Sequence, residues 1–565
     1  MCSIAFVIQL RMPSSSFLPA PYSHHYPIAK TYSKSVAYLS CEFAIDQSFK
    51  IYAGGLGFLA GSHMRSAADL GQNLAGVGIL WTYGYYNQVR GDEGELAVQF
   101  RKQHYSFLQE TGIRFTVDVH GHPVWVRAYH LPGEVFGTVP MFFLSTDVDE
   151  NDFLSRQITH RLYDNDELRR IAQYMILGIG AAKLFDVLGV SPEIMHLNEA
   201  HGLSAAFHLL KKHGNLEEVR NRLVFTTHTP EEAGNEKHHF SVLRDFGFFS
   251  GLDEPWVRDL AGVEGDVFNH TLAALRMAKK ANGVSKLHGQ VSRKMWKHAR
   301  GICEITHVTN AQNKKFWADH GMERARVDAD ADALTRRKRE LKSRLFRIVA
   351  DQTGKLFDTG ILTLVWARRF AGYKRPDLIT RDLRLFREML GSSNYPVQII
   401  WAGKPYPFDD TAIQTFNHLI QLTKDHPNAT VLTGYELELS RSLKYGADLW
   451  LNNPVVTREA SGTSGMSAAM NGAVNFSTLD GWICEFAKDG ENSFIIPPVA
   501  QGLSHEDEDR HDLTGFYAKL NGEILPLYYD HRDKWNQIVL NSMNDVVPYF
   551  DSDRMVREYY EVMYR

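Results

Sequence analysis

Two stretches of the chain carry residue types that could do chemistry together. Glu459-Ala460-Ser461-Gly462-Thr463-Ser464-Gly465-Met466-Ser467-Ala468-Ala469-Met470-Asn471-Gly472 starts with a carboxylate, runs through small residues and ends in a helical-looking SAAMNG. Before it, ADLWLNNP is an apolar run closed by a turn-forming Asn-Pro. Small residues after a strand let backbone N–H groups approach a ligand, and a helix N-terminus favours an anion there. One carboxylate ahead of such a loop suits sugar hydroxyls. The second stretch, Arg368-Arg369-Phe370-Ala371-Gly372-Tyr373-Lys374-Arg375, follows the apolar run ILTLVWA. Its cations repel one another unless some face solvent or an anion, and an arginine fork with a lysine point charge suits a phosphoryl group. On the residues alone, the first stretch is equally an ordinary turn and the second a solvated basic one.

Other candidates sit at predicted strand ends, where ligands of open parallel sheets gather. Glu193 to His201 reads as strand into loop, and VFTTHTP (224–230) ends in His228, which taken alone is also a satisfied core histidine. SVAYLSCEF leads to the glycine turn Ile51-Tyr52-Ala53-Gly54-Gly55-Leu56-Gly57, with a helix predicted from Phe58 to Leu70. Strand, glycine turn and helix can present backbone donors to a phosphate.

The elements that must hold these groups read as α/β. At 565 residues the chain exceeds one core, so two or more domains are expected. Its 44% hydrophobic and 23% charged residues are those of a soluble globular protein. A net charge of −4 gives no electrostatic case for nucleic acid or an anionic membrane. Cys2, Cys41, Cys303 and Cys484 form no CxxC pair, which fits a reducing compartment and argues against a zinc site. The run 3–10 is too short to span a bilayer and a poor signal peptide, so a cytoplasmic protein is expected. Boundaries are placed at a loosely held arm (1–30), a first Rossmann-like domain (31–345), a second (346–545) and a C-terminal helix (546–565). Apolar/polar alternation over 89–148 predicts an antiparallel β-rich insertion rather than more parallel sheet. The basic run RRKRELKSRLFRIVAD predicts a helix with an apolar packed face and a solvated basic one.

EASGTSGMSAAMNG resembles the signature of the glycogen and α-glucan phosphorylases, in which a lysine carrying pyridoxal phosphate follows the loop. AYLSCEF, IYAGGLGFLAGSHMRSAADLG, GVGILWTYGYYNQ, HLNEAH, FTTHTPEEAG, SKLHGQVSRKMW and RRFAGYKR resemble the short bacterial members. The resemblance runs from about Val36 to Pro498. It implies the GT-B fold, two doubly wound domains facing a central cleft. It implies roles for His228, Arg369, Lys374 and Glu459 in catalysis, and for Asn310, Ala460, Ser461 and Gly462 in holding the sugar. Gly54, Gly55, Leu56, Arg368, Lys404 and Thr463 would border the phosphate or donor, with Glu42 beside them and Trp317 near the cofactor. Ala311 and Asn313 depart from the family's pattern after Asn310, and Glu436 stands where glycogen-type members have an arginine.

Aligned without gaps, the cofactor lysine falls on Ser467, and no lysine occurs between Lys444 and Lys488. A Schiff base requires a primary amine. The expectation is therefore a phosphorylase-like retaining hexosyltransferase acting on an α-glucan or oligosaccharide, with a phosphate-activated donor and no covalent pyridoxal phosphate. A sugar-nucleotide-dependent transferase and an inactive glucan-binding protein are the alternatives, and assembly as a homodimer is left open. The chain has no HExxH, GxSxG or GxxxxGK[ST] motif, and no metal is expected.

Overall fold

The computed structural model describes residues 15–499 and 502–565; the run 3–10 and Cys2 lie outside them. Short apolar runs such as LAGVGI, LTLVWA and VQIIWA become strands buried on both faces, the pattern parallel sheets require. Nine strands form one sheet: β1 (Val36–Leu39), β2 (Leu74–Ile79), β3 (Gln109–Val119), β4 (His122–Leu131), β5 (Met141–Ser145), β6 (Ile194–Asn198), β7 (Leu223–Thr226), β8 (Lys280–Gly283) and β9 (Glu304–His307). Their order is β9-β8-β7-β6-β1-β2-β5-β4-β3, parallel throughout except where β4 pairs with β3 and β5. Six parallel strands form the other: β10 (Leu362–Ala367), β11 (Val397–Ala402), β12 (Ala429–Leu432), β13 (Leu449–Asn452), β14 (Val474–Ser477) and β15 (Ser493–Ile495), in the order β12-β11-β10-β13-β14-β15. Strand order reverses at β1 in one sheet and at β10 in the other, which leaves a crevice at their carboxyl ends.

Several expectations are corrected. The alternating segment is largely antiparallel but not one separate unit: the hairpin Asn87–Arg90 with Leu96–Gln99 stands apart, β3 and β4 extend the first sheet, and β5 pairs in parallel with β2. From residue 15 the N-terminal arm is anchored at two points, Leu18 and Ile28, each 3% exposed, with the residues between them half-buried or exposed. Helix α1 (Gly55–Asp69) starts at the glycines rather than at Phe58. A Cβ on Gly61 would lie 2.1 Å from the Ala44 carbonyl oxygen, so glycine lets this helix press against the loop that follows β1.

Helix α2 (Ala331–Thr353) already belongs to the second core through Leu334 and Leu341, ahead of the expected boundary at 345. Its basic face is only partly solvated. Lys338 Nζ donates to the carbonyls of Tyr445, Ala447 and Asn471. Lys342 lies 2.5 Å from the Asp448 carboxylate, with side chains 1% and 3% exposed. These contacts fix α3 (Leu437–Gly446) and the turn after α4 (Ser464–Ala469) to the sheet. Helix α5 (Arg532–Phe550) spans the expected boundary at 545, and the chain then crosses back. There α6 (Ser552–Glu558) and the turn after it place Met555, Tyr559, Met563 and Tyr564 in the first core. Among the described residues no helix is long and apolar enough to cross a membrane.

The Lys342–Asp448 pair yields a stability test. Lys342→Met leaves a buried carboxylate without its cation, which costs about 3–5 kcal/mol. The urea-unfolding midpoint should fall accordingly, and an unchanged midpoint would contradict the pairing.

Candidate active site

A cleft of about 650 Å³ opens where loops from the two sheets meet. Its walls are residues just past strand ends: Glu199 to His201 after β6, His228 after β7, Asn310 after β9, Arg368 and Arg369 after β10, Lys404 after β11, and Glu459 to Ser464 after β13. Every expected site residue borders it except Ser467 and Trp317.

The glycine turn is set by a carboxylate. Glu42 Oε2 accepts from the N–H groups of Ala53 (2.7 Å) and Gly54 (3.1 Å), while Oε1 accepts from the Tyr163 hydroxyl at 2.7 Å. Glu42 thus fixes the turn that brings Gly54, Gly55 and Leu56 to the cleft.

The four cations of RRFAGYKR separate into two jobs. Arg375 turns away, 1% exposed, onto Asp509 (2.7 Å) and Asp512 (2.5 Å). Arg368 Nη2 and Lys374 Nζ both lie 2.6 Å from Glu459 Oε2. Burial pushes the Glu459 carboxyl up, but Arg368 and Lys374 more than offset this and hold it at about 2. Arg369 is exposed to the cleft and lies against Tyr373 and Tyr85, with no ion pair among the described residues. It is a guanidinium with its charge unspent, lining the same cleft as the helix start at Gly55.

Around these charges stand groups suited to hydroxyls. The 459–464 loop is held by backbone contacts: Glu459 N–H donates to Asp480 Oδ2 (2.8 Å), Trp482 N–H to the Ser461 carbonyl (2.9 Å), and Ser285 Oγ to the Ala460 carbonyl (2.7 Å). Gly481 has φ +64°, and a Cβ there would sit 2.4 Å from the Ser461 carbonyl oxygen, so only glycine fits. Four buried polar atoms of cleft residues have no partner among the described residues: His201 Nδ1, Asn310 Oδ1, Ser461 Oγ and Arg368 Nη1. Buried polar atoms are normally paired, so these are available to a polar ligand. Ala311 is fully buried, and Asn313 caps the helix that carries Trp317, so the departures after Asn310 serve packing.

His228 is held from two sides. Its Nε2 lies 2.8 Å from Asn198 Oδ1, an acceptor, so that nitrogen carries the proton. Its backbone N–H donates to Glu199 Oε1 at 2.5 Å. Burial pushes the imidazole down to about 3, with His288 and His201 adding to the effect, so the ring is neutral. Sequence reasoning missed Glu199. Its backbone sits at φ 66°, ψ 168°, a region other residues leave to glycine, and burial pushes its carboxyl up to about 7. Asp480 was missed as well; burial, then the neighbouring Glu459 charge, raises it to about 7. The motifs HLNEAH and LDGW contain both residues, but neither motif reveals the backbone strain or the carboxylate neighbour.

Lys404 does not face the cleft unpaired. It lies 3.0 Å from Glu436, which also accepts a hydrogen bond from Lys50. Ser467 is fully buried in α4, its Oγ donating to the Ser464 carbonyl at 3.2 Å.

Residues 320–501 match the family model for carbohydrate phosphorylases. An uncharacterised protein of Methanocaldococcus jannaschii is 45% identical over 94% of this chain and 100% of its own length. The maltodextrin phosphorylase of Thermococcus litoralis is 31% identical over 96% of this chain and 72% of its own. The glycogen phosphorylase of Aquifex aeolicus is 31% identical over 96% of this chain and 88% of its own. With this identity spread over nearly the whole chain, and the polar groups described above gathered at the carboxyl ends of two sheets, the chain belongs to the carbohydrate phosphorylase family.

Proposed function

We propose that the chain is a retaining hexosyltransferase of the α-glucan phosphorylase type. It would move glucose or a related hexose between a phosphate-activated donor and an α-glucan or oligosaccharide. The observation that carries this reading is Arg369, which makes no ion pair among the described residues, sharing one cleft with atoms of Asn310 and Ser461 that have no partner there. The meeting of strand ends from two sheets supports a GT-B arrangement, with donor and acceptor entering between two doubly wound halves.

The roles follow from charge. Arg369, with the backbone of Gly55 and Leu56, takes the donor phosphate, and Arg368 Nη1 and Thr463 border it. Lys374 joins the phosphate by leaving Glu459, whose freed oxygen then accepts from a sugar hydroxyl. Asn310, Ala460, Ser461, Gly462 and neutral His228 hold the remaining hexose edge. As the glycosidic bond to phosphate breaks, the departing oxygen gains charge beside Arg369 and Lys374. Such preorganised donors are worth about 3–4 kcal/mol each.

The residues around position 467 do not fit the pyridoxal phosphate that the family resemblance implies. A serine hydroxyl forms no imine. Lys404, a cation that a phosphate would need, is already paired with Glu436. We therefore assign no step to that group.

Arg369→Ala should weaken binding of glucose 1-phosphate by about 1.5–3 kcal/mol in calorimetry, the range for a hydrogen bond to a charged group. An unchanged affinity would remove Arg369 from the donor site. Glu459→Gln should act in opposite directions on two readouts. Removing the anion beside Lys374 should tighten inorganic phosphate binding, while hexose transfer falls. The transfer assay offers each protein a maltooligosaccharide with glucose 1-phosphate, then with nucleotide sugars, and follows chain extension. Extension from glucose 1-phosphate by the parent protein supports the proposal. Extension only from a nucleotide sugar replaces the donor assignment, and tight glucan binding without extension from any donor overturns the enzyme reading.

A further inference from the structure

Beside the cleft, which Phe58 and Tyr435 help to line, α1, α3 and α4 enclose an aromatic compartment. Phe58 and Trp317 stand 5.3 Å apart between ring centroids, and Tyr435 lies 6.5 Å from Phe58. Helix α3 sends Lys444 into it. This lysine is 1% exposed, with Nζ 3.6 Å from the centroid of Trp317 and 5.4 Å from that of Phe58. Among the described residues the amine makes no hydrogen bond or ion pair. The amine lies instead over the faces of these two rings. Burial pushes its pKa well below the usual lysine value, and Arg441 on the same helix adds to the effect.

A lysine here is costly. Its neighbours on α3, Leu437 and Leu443, are buried hydrophobics, and an apolar side chain would pack at this position without desolvating an amine. Simple packing therefore does not account for it. The position of Ser467 gives a second observation. Asn471 Nδ2 donates both to the Ser467 carbonyl (2.8 Å) and to the Trp317 carbonyl (2.9 Å), so the tryptophan under the Lys444 amine and the Ser467 turn are tied to one amide. Helices α3 and α4 also share a core through Leu443 and Ala468. The chain lacks an amine at 467 and has one entering from the neighbouring helix.

We propose that the Lys444 side chain fills the compartment in which the family's carbonyl cofactor is held, closing it to pyridoxal phosphate even when an amine is restored at position 467. The inference rests on the cofactor part of the proposed function and goes beyond it, because it names the residue that excludes the group. Loss of the amine at 467 is then one half of a paired change, and the space it served is occupied from α3.

The test restores the amine with and without the filler. Parent protein, Ser467→Lys, Lys444→Val, Ser467→Lys/Lys444→Val and Ser467→Lys/Lys444→Ala are incubated with pyridoxal phosphate and reduced with borohydride. Pyridoxyl adducts are then mapped by peptide mass spectrometry. Two double variants guard against failure of either one to fold. The expected result is one equivalent of adduct at position 467 in a folded double variant, and no stoichiometric adduct in the parent or either single variant. Stoichiometric labelling of Ser467→Lys alone would show the compartment open despite Lys444 and overturn the inference. Folded double variants that remain unlabelled would overturn it too. An adduct on Lys444 in the parent would overturn both this inference and the cofactor-free reading. Hexose transfer by the parent, assayed separately, distinguishes these failures: intact transfer with an open compartment leaves the proposed reaction standing.

Discussion

Glu459 Oε2 lies 2.6 Å from both Arg368 Nη2 and Lys374 Nζ, and these groups reach one point from two strand ends. Breaking such a buried cluster by removing one member costs about 3–5 kcal/mol, so it locks the small-residue loop to the basic loop. It also decides how the cleft takes a ligand. In the proposed reaction an incoming phosphate would compete with Glu459 for Lys374, and the oxygen it releases would be the one a sugar hydroxyl needs. On that proposal phosphate and sugar binding would be coupled through one carboxylate, and the coupling would be reciprocal by linkage. Arg369 lies outside the cluster and, in the proposed reaction, supplies the charge that would attract the anion.

The rest of the molecule keeps those loops in register. Lys338 ties the C-terminus of α3 to the Asn471 turn through three carbonyls. Gln88, from the first half of the chain, bridges the Gly403 carbonyl and the Gly434 N–H at 2.9 Å each. Ser285 anchors the Ala460 carbonyl across the cleft. Each contact uses backbone atoms of the loops, so the loops can stay rigid while their side chains face the cleft.

Much of the fold was legible because its signals are local. Buried apolar runs bounded by turns gave the parallel strands, and small or basic residues at their ends marked the cleft. What stayed hidden depends on distant partners. Nothing within RRFAGYKR separates Arg375 from Arg369; that follows from Asp509 and Asp512, far along the chain. Alternation showed that β3 and β4 are antiparallel, but whether they stand apart or extend a sheet depends on how β4 pairs with β5. In α2, the spacing of Lys338 and Lys342 puts them on the face of Leu334, Leu341 and Leu345, yet the charge pattern suggested a solvated surface. Asp448 and three carbonyls made burial of that face possible.

The departure at Ser467 has the largest consequence for chemistry. The catalytic charges proposed here are all side chains or backbone of the chain itself: Arg369, Lys374, Glu459 and the helix start at Gly55. The most direct measurement follows hexose transfer from glucose 1-phosphate to a maltooligosaccharide before and after borohydride treatment, with bound pyridoxyl quantified in the same samples. The account predicts equal turnover before and after, from protein carrying no pyridoxyl residue. Turnover that disappears in step with formation of a pyridoxyl lysine would contradict it.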